Sequence, residues 1–177
     1  MNDNQLIQHL KELCLFLDNA GIEYMLVGGL AVGIWGEPRA TVDIDFLVSF
    51  SKNDFAVLSK KLSDSNAFIS IHGKPITFER ISLLRATLKS NPDLNVDFLF
   101  ADDEFKKDAL SRRQTINIAD FTVNIPTPED LILLKLIGNR EQDLLDAKKI
   151  FEMQKEHLDM EYLQKWSKRL QVKLPSG

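Results

Sequence analysis

Asp43 and Asp45 stand two residues apart in Thr41-Val42-Asp43-Ile44-Asp45-Phe46, and Asp97 sits in a segment of similar character, Val96-Asp97-Phe98. In an extended chain, residues i and i+2 project from one face with their Cα atoms about 7 Å apart. Asp43 and Asp45 then aim two carboxylates at one spot, while Val42, Ile44 and Phe46 turn toward a core. If Asp97 joins them, three carboxylates on one sheet surface raise one another's pKa unless a cation compensates. A pair of hard divalent ions meets that need. Mg2+ takes oxygen ligands, usually one or two carboxylates together with substrate phosphates, and two such ions stabilise both the attacking and the leaving oxygen of an in-line displacement. The plain alternative is an antiparallel strand whose aspartates merely face solvent.

Upstream, Gly28-Gly29 follows the apolar run 23–27 and precedes a short apolar stretch, Leu30 to Trp35. A glycine pair at a helix start lets the backbone approach a ligand and offers amides suited to phosphate. By itself it is more often just a turn. It matches neither G-x-G-x-x-G nor G-x4-G-K-[ST], so dinucleotide-fold and P-loop readings lack support. Lys135 interrupts the nearly continuous apolar segment 131–137; it either snorkels to the surface or sits in a polar cleft where it meets phosphates. Arg39 is open between a phosphate ligand and a structural partner for a carboxylate. Arg140 with Asp143, and Asp146 with Lys149, have the i, i+3 spacing of ordinary surface pairs. Lys135, Asn139 and Asp143 share a helical stripe if Gly138 does not break the helix.

These residues need strands and helices to hold them. Leu6, Leu10, Leu13 and Leu17 recur at helical spacing and predict a helix over about 4–19. Strands are expected at 23–27, 41–49 and 94–100, with short ones at 114–118 and 121–125. Residues 67–71 and 76–90 contain β-favouring pieces, broken by the turn signal His72-Gly73-Lys74-Pro75. Helices are expected over 53–62, capped by Ser51 or Asn53, and over 102–112, capped by Asp102 or Asp103. Pro126-Thr127-Pro128-Glu129-Asp130 opens another helix with Thr127 as N-cap, which runs to about Ile137 before Gly138-Asn139 interrupts it; a further helix is expected near 141–156, and Asp159 caps a last one ending near Leu170. The expectation is an α/β (α+β) protein: a mixed sheet flanked by helices over 1–125 and a helical part over 126–177 packed on it as one unit.

At 177 residues, 44% hydrophobic and 27% charged, the chain has an ordinary globular composition. Its net charge of −4 lacks the global basic bias of a protein that grips nucleic acid mainly through phosphates, although a local patch stays open. Lys106-Lys107 and Arg112-Arg113 fit a small basic face for RNA less well than a solvated helix, because Asp102, Asp103, Glu104 and Asp108 dilute them. The single cysteine, Cys14, lies in an apolar stretch and reads as core. The longest apolar-rich uncharged stretch, Tyr24 to Gly36, is too short to span a bilayer. The N-terminus shows no basic region leading into an apolar one. A cytoplasmic protein with no membrane partner is expected.

The ordered set Gly28-Gly29, Arg39-x-Thr41-x-Asp43-x-Asp45 and Asp97 resembles the nucleotidyltransferase (polymerase-beta-like) superfamily, above all its bacterial minimal members and the toxin-type members of abortive-infection and toxin–antitoxin systems. Pro128-Glu129-Asp130-Leu131 leading to Lys135-x4-Arg140-x2-Asp143-x2-Asp146 is similar to the helical signature of those toxin-like members. The resemblance implies a nucleotidyltransferase fold and transfer of a nucleoside monophosphate from an NTP to an acceptor hydroxyl of a tRNA, a protein or a small molecule. It implies Mg2+ as cofactor, two ions, with Mn2+ able to replace it. Asp43, Asp45 and Asp97 would be the metal-binding catalytic residues. Gly28, Gly29, Arg39, Thr41 and Lys135 would bind nucleotide phosphates, and Arg140, Asp143 and Asp146 would support the site or touch substrate. A partner protein encoded by a neighbouring gene is implied as well. The same fold used as a non-catalytic nucleotide-binding or antitoxin-like module is the competing reading.

Overall fold

Leu10, Leu13 and Leu17 are buried on one side of the first helix, α1 (Asp3–Asn19), in the computed structural model, which describes residues 3–175. The chain continues through β1 (Tyr24–Val27), α2 (Gly28–Trp35), β2 (Asp43–Val48) and α3 (Phe55–Asp64), the last preceded by a 3-10 turn that Ser51 and Asp54 cap reciprocally. Next come β3 (Phe68–Ile71), β4 (Ile76–Phe78), β5 (Ile81–Leu88), β6 (Asn95–Phe100) and α4 (Glu104–Ser111). A hairpin, β7 (Gln114–Ile118) and β8 (Phe121–Ile125), leads to α5 (Pro128–Gly138), α6 (Glu141–Gln154) and α7 (Met160–Leu170). Among the described residues, no helix is long and apolar enough to cross a membrane.

Five strands form the order β1-β2-β6-β5-β3, with β4 also paired to β5. Among the described residues only β2 and β6 run parallel; the other neighbours in this sheet are antiparallel. Alternation along the strands divides the core in two. Tyr24, Leu26, Ile44, Phe46, Val96 and Phe98 face α1 and α3. Met25, Val27 and Leu47 face the other way, into a cluster with Phe105 of α4 and the apolar residues of α5, α6 and α7. Asp43 and Asp45 alternate with Ile44 and Phe46, so they share the face of Leu47 and look toward the C-terminal helices. Those helices therefore share a core with the sheet.

The caps explain where the helices start. Thr127 accepts from the Asp130 amide, Asp103 from the Lys106 amide, and Asp159 from the Tyr162 amide. Two expectations need correction. Val42 is 69% exposed because β2 begins one residue after it. Lys106 is buried, with Asp102, Asp103 and the Arg80 carbonyl around its ammonium, so it contributes nothing to a solvated face. As expected, the helix from 128 is interrupted at Gly138-Asn139, where Asn139 takes a left-handed conformation; Lys135 and Asp143 lie on different helices, so the condition for a shared stripe is not met.

Candidate active site

The parallel pairing of β2 with β6 places the Cα of Asp45 opposite that of Asp97, and Asp43 opposite Asn95. Strand neighbours lie about 4.8 Å apart and in-register side chains share a face, so the aspartates from two distant segments meet on one surface. Above them, β1 ends in Gly28, whose φ of +67° lies in the left-handed region. A Cβ there would stand 1.9 Å from Asp45 Oδ2. Glycine thus lets the start of α2 lie directly against an acidic side chain. At Gly29 a Cβ would meet Thr41 Oγ1 at 3.0 Å and an Arg39 guanidinium nitrogen at 3.2 Å. Both glycines, Arg39, Thr41, all three aspartates, Lys135, Arg140 and Asp143 line one cavity of about 400 Å3. A larger cavity of about 590 Å3, among Arg80, Leu136, Lys148 and Val172, holds none of the three aspartates.

The opposite wall is an alternating chain of charge. Lys135 Nζ lies 3.1 Å from Asp143 Oδ1 and 2.9 Å from Asp146 Oδ2. Arg39 donates twice to Asp146, at 3.1 Å each, and Gln142 donates to the same carboxylate at 2.8 Å. Arg140 donates to Asp143 at 2.6 and 3.1 Å. Asp143 and Asp146 are 2% and 1% exposed, so the surface character expected of their pairs is corrected: the Arg140–Asp143 pair forms, but on a buried carboxylate, whereas Asp146 bonds Arg39 and Lys135 and Lys149 reaches Glu37 instead. The left-handed turn at Asn139 folds α6 back against α5, which brings Asp143 to Lys135 without a continuous stripe. Lys135 lies in the cleft, and its ammonium is held from behind. Arg39 has the structural partner that the sequence left open and still faces the cavity. Thr41 Oγ1 donates to the Asp43 carbonyl at 3.3 Å.

Electrostatics separates the two sets of carboxylates. Burial, then the neighbouring Asp97, pushes the Asp45 carboxyl up to about 6, with Lys135 opposing. Burial would also raise Asp143 and Asp146, but Arg140 and Lys135 on the first, and Arg39 and Lys135 on the second, hold both below the usual carboxylate range. Asp143 and Asp146 are therefore committed anions, and Asp45 is the acid short of positive charge.

Arg85 went unnoticed in the sequence. It lies on β5 with its Cα opposite that of Asp97, and it donates to both Asp97 oxygens at 2.7 and 2.6 Å. The available signal was a lone guanidinium in the apolar strand Leu83-Leu84-Arg85-Ala86. Gln142 was missed too, since nothing in the sequence marks its contact with Asp146. Among the described residues, no three His, Cys, Asp or Glu side chains form a ready-made metal cage. The donors nevertheless suit a hard cation: carboxylate oxygens on one surface, one of them disfavoured as an anion, beside a helix start whose amides are of the kind that suits phosphate. That is the chemistry of an ion whose shell substrate phosphates complete.

A mixed sheet with a D-x-D strand, a third aspartate in register beside it and a glycine-opened helix against the pair defines a nucleotidyltransferase fold. Solved structures share it. An antigenic nucleotidyltransferase-like protein from Paracoccidioides brasiliensis is similar at TM-score 0.57 and 16% identity, over 99% of this chain and 96% of that one. The antibiotic-resistance factor ANT(2'')-Ia is similar at TM-score 0.59 and 12% identity, over 96% and 94%. The lincosamide antibiotic adenylyltransferase LnuA is similar at TM-score 0.50 and 16% identity, over 86% and 98%. No curated protein sequence matches the chain. Residues 14–167 match the family described as nucleotidyl transferase AbiEii toxin, type IV TA system, and the chain belongs to that family.

Proposed function

We propose that the protein transfers a nucleoside monophosphate from an NTP to an acceptor hydroxyl with the help of divalent metal, as the toxin of a toxin–antitoxin pair. The observation that carries this reading is the register of β2 on β6, which sets Asp45 beside Asp97 directly under the Gly28 turn. Asp43, Asp45 and Asp97 would hold Mg2+, which when bound neutralises charge on the phosphates. The amides at the start of α2 receive the triphosphate, with Arg39 and Lys135 facing it from the opposite wall. A bond forms between the acceptor oxygen and the α-phosphorus, and the bond from that phosphorus to the bridging oxygen of the β-phosphate breaks. Pyrophosphate leaves, and Asp97 takes the acceptor proton. Positioning and charge compensation supply most of the rate, as in phosphoryl transfer generally.

The test incubates the protein with α-labelled NTPs, Mg2+ and candidate acceptors: tRNA, a co-encoded protein, aminoglycosides or lincosamides. Label should reach one acceptor class and disappear in the Asp43→Asn/Asp45→Asn variant. Transfer that survives the double substitution refutes the assigned roles.

A further inference from the structure

Arg85 and Asp97 are a pair in which one member is fixed and the other is able to leave. The Asp97 side chain is 6% exposed and lies within the sheet, whereas that of Arg85 is 39% exposed at the mouth of the cleft. Both oxygens of Asp97 accept from Arg85, at 2.7 and 2.6 Å, the two-pronged geometry that guanidinium groups form with carboxylates. Lys135, the buried cation of the cleft, is committed to Asp143 and Asp146. Of the three aspartates at the metal surface, the ion pair thus falls on Asp97. An oxygen already bonded to a guanidinium offers a dication only a contested lone pair beside a like charge.

We propose that Arg85 is a latch on Asp97: it serves as the resident counter-cation of the nucleotide-free protein and must swing away before Asp97 can ligate metal. This rests on the metal-dependent reading above and adds an order to it. Asp43 and Asp45 are open to an ion that arrives with the triphosphate, and Asp97 joins only after Arg85 has released it. Nucleotide-free protein is then prevented from holding a complete set of metal ligands. If Arg85 were absent, Asp97 would remain buried beside Asp45 without the cation that bonds its carboxylate, which is why the position calls for a cation of one kind or another.

The probe is Mn2+ alone, followed through the loss of the free-ion paramagnetic resonance signal on titration of the intact protein without nucleotide. Arg85→Met should bind Mn2+ about tenfold or more tightly than wild type, and the gain should vanish in Arg85→Met/Asp97→Asn. Arg85→Lys keeps the charge but cannot bridge both oxygens; it should gain in the same direction by less, and it carries the test if circular dichroism shows Arg85→Met unfolded. If wild type binds Mn2+ with an unreactive NTP analogue, Asp43→Asn/Asp45→Asn does not, and neither Arg85 variant gains affinity, the latch is wrong and the metal reading stands. If no form of the protein binds Mn2+ even with the analogue, both fall together.

Discussion

Lys135 and Arg140 flank the same carboxylate, yet they are not equivalent. Lys135 is buried between Asp143 and Asp146, whereas the Arg140 side chain is 76% exposed. Removing one partner of a buried ionic group strands the others, so Lys135→Met should cost about 3–5 kcal/mol. Arg140→Met should cost about 1 kcal/mol or less, as exposed pairs do. Urea unfolding of the two variants measures the contrast, and equal losses would show that Lys135 is not held as described. Asp45 makes the opposite kind of prediction. Its carboxyl is raised from 3.8 to about 6 in the fold. A raised acid contributes stability that is fully present below its unfolded pKa and lost as pH climbs through the folded one. In metal-free buffer, Asp45→Asn should match wild type near pH 4 and exceed it near pH 7.5 by about 1–3 kcal/mol. Thermal melts across that range in EDTA test it; a pH-independent difference would contradict the assigned burial.

Two glycines with nearly the same backbone angle separate local strain from close approach. Gly21 has φ +63° with nothing within 4 Å of an added Cβ, while Gly28 has φ +67° with Asp45 Oδ2 at 1.9 Å. Gly21→Ala should therefore cost only the left-handed penalty, about 1–2 kcal/mol. Gly28→Ala adds a clash with a strand-anchored side chain and should cost more. It should also abolish NTP binding, because α2 and β2 would no longer fit together. Calorimetric titration with NTP beside a denaturant melt of each variant checks both halves. The strand–glycine–helix order was legible from residue types, and so was the D-x-D strand. What strand patterning could not show was that β2 pairs parallel with a segment some fifty residues later, since pairing partners depend on the whole sheet.

The molecule depends on its C-terminal helices to form the opposite wall of the cleft, and a buried hydrogen-bond cluster pins them. Tyr162 of α7 donates its one hydroxyl hydrogen to Asp130 of α5 at 2.6 Å, with an Asp108 oxygen of α4 also 3.1 Å from that hydroxyl, and Arg112 stacks over its ring. Asp130 is fully buried and also bonds Thr127 and Arg112. Tyr162→Phe should lower stability by about 1–3 kcal/mol, the range for a buried acceptor deprived of its donor. Tyr162 lines no part of the cleft, so NTP binding below the melting temperature should be unchanged. A variant that keeps its stability would mean the cluster does not carry the docking of α7.

Local chemistry and periodicity were enough to reveal the helices, the short strands, the caps at Thr127 and Asp159, and the acids that could serve a phosphate reaction, while between Asp102 and Asp103 the cap stayed open until the fold chose Asp103. These are properties of residues a few positions apart, where side-chain type and spacing govern conformation directly. Only the folded chain decided that Asp143 and Asp146 are buried anions, that Lys106 is a core lysine, and that Arg85 stands on Asp97. Each of those outcomes depends on which charge meets which across long sequence separations. The cost of burying an unpaired ion makes such meetings obligatory, but the choice of partner belongs to the three-dimensional packing.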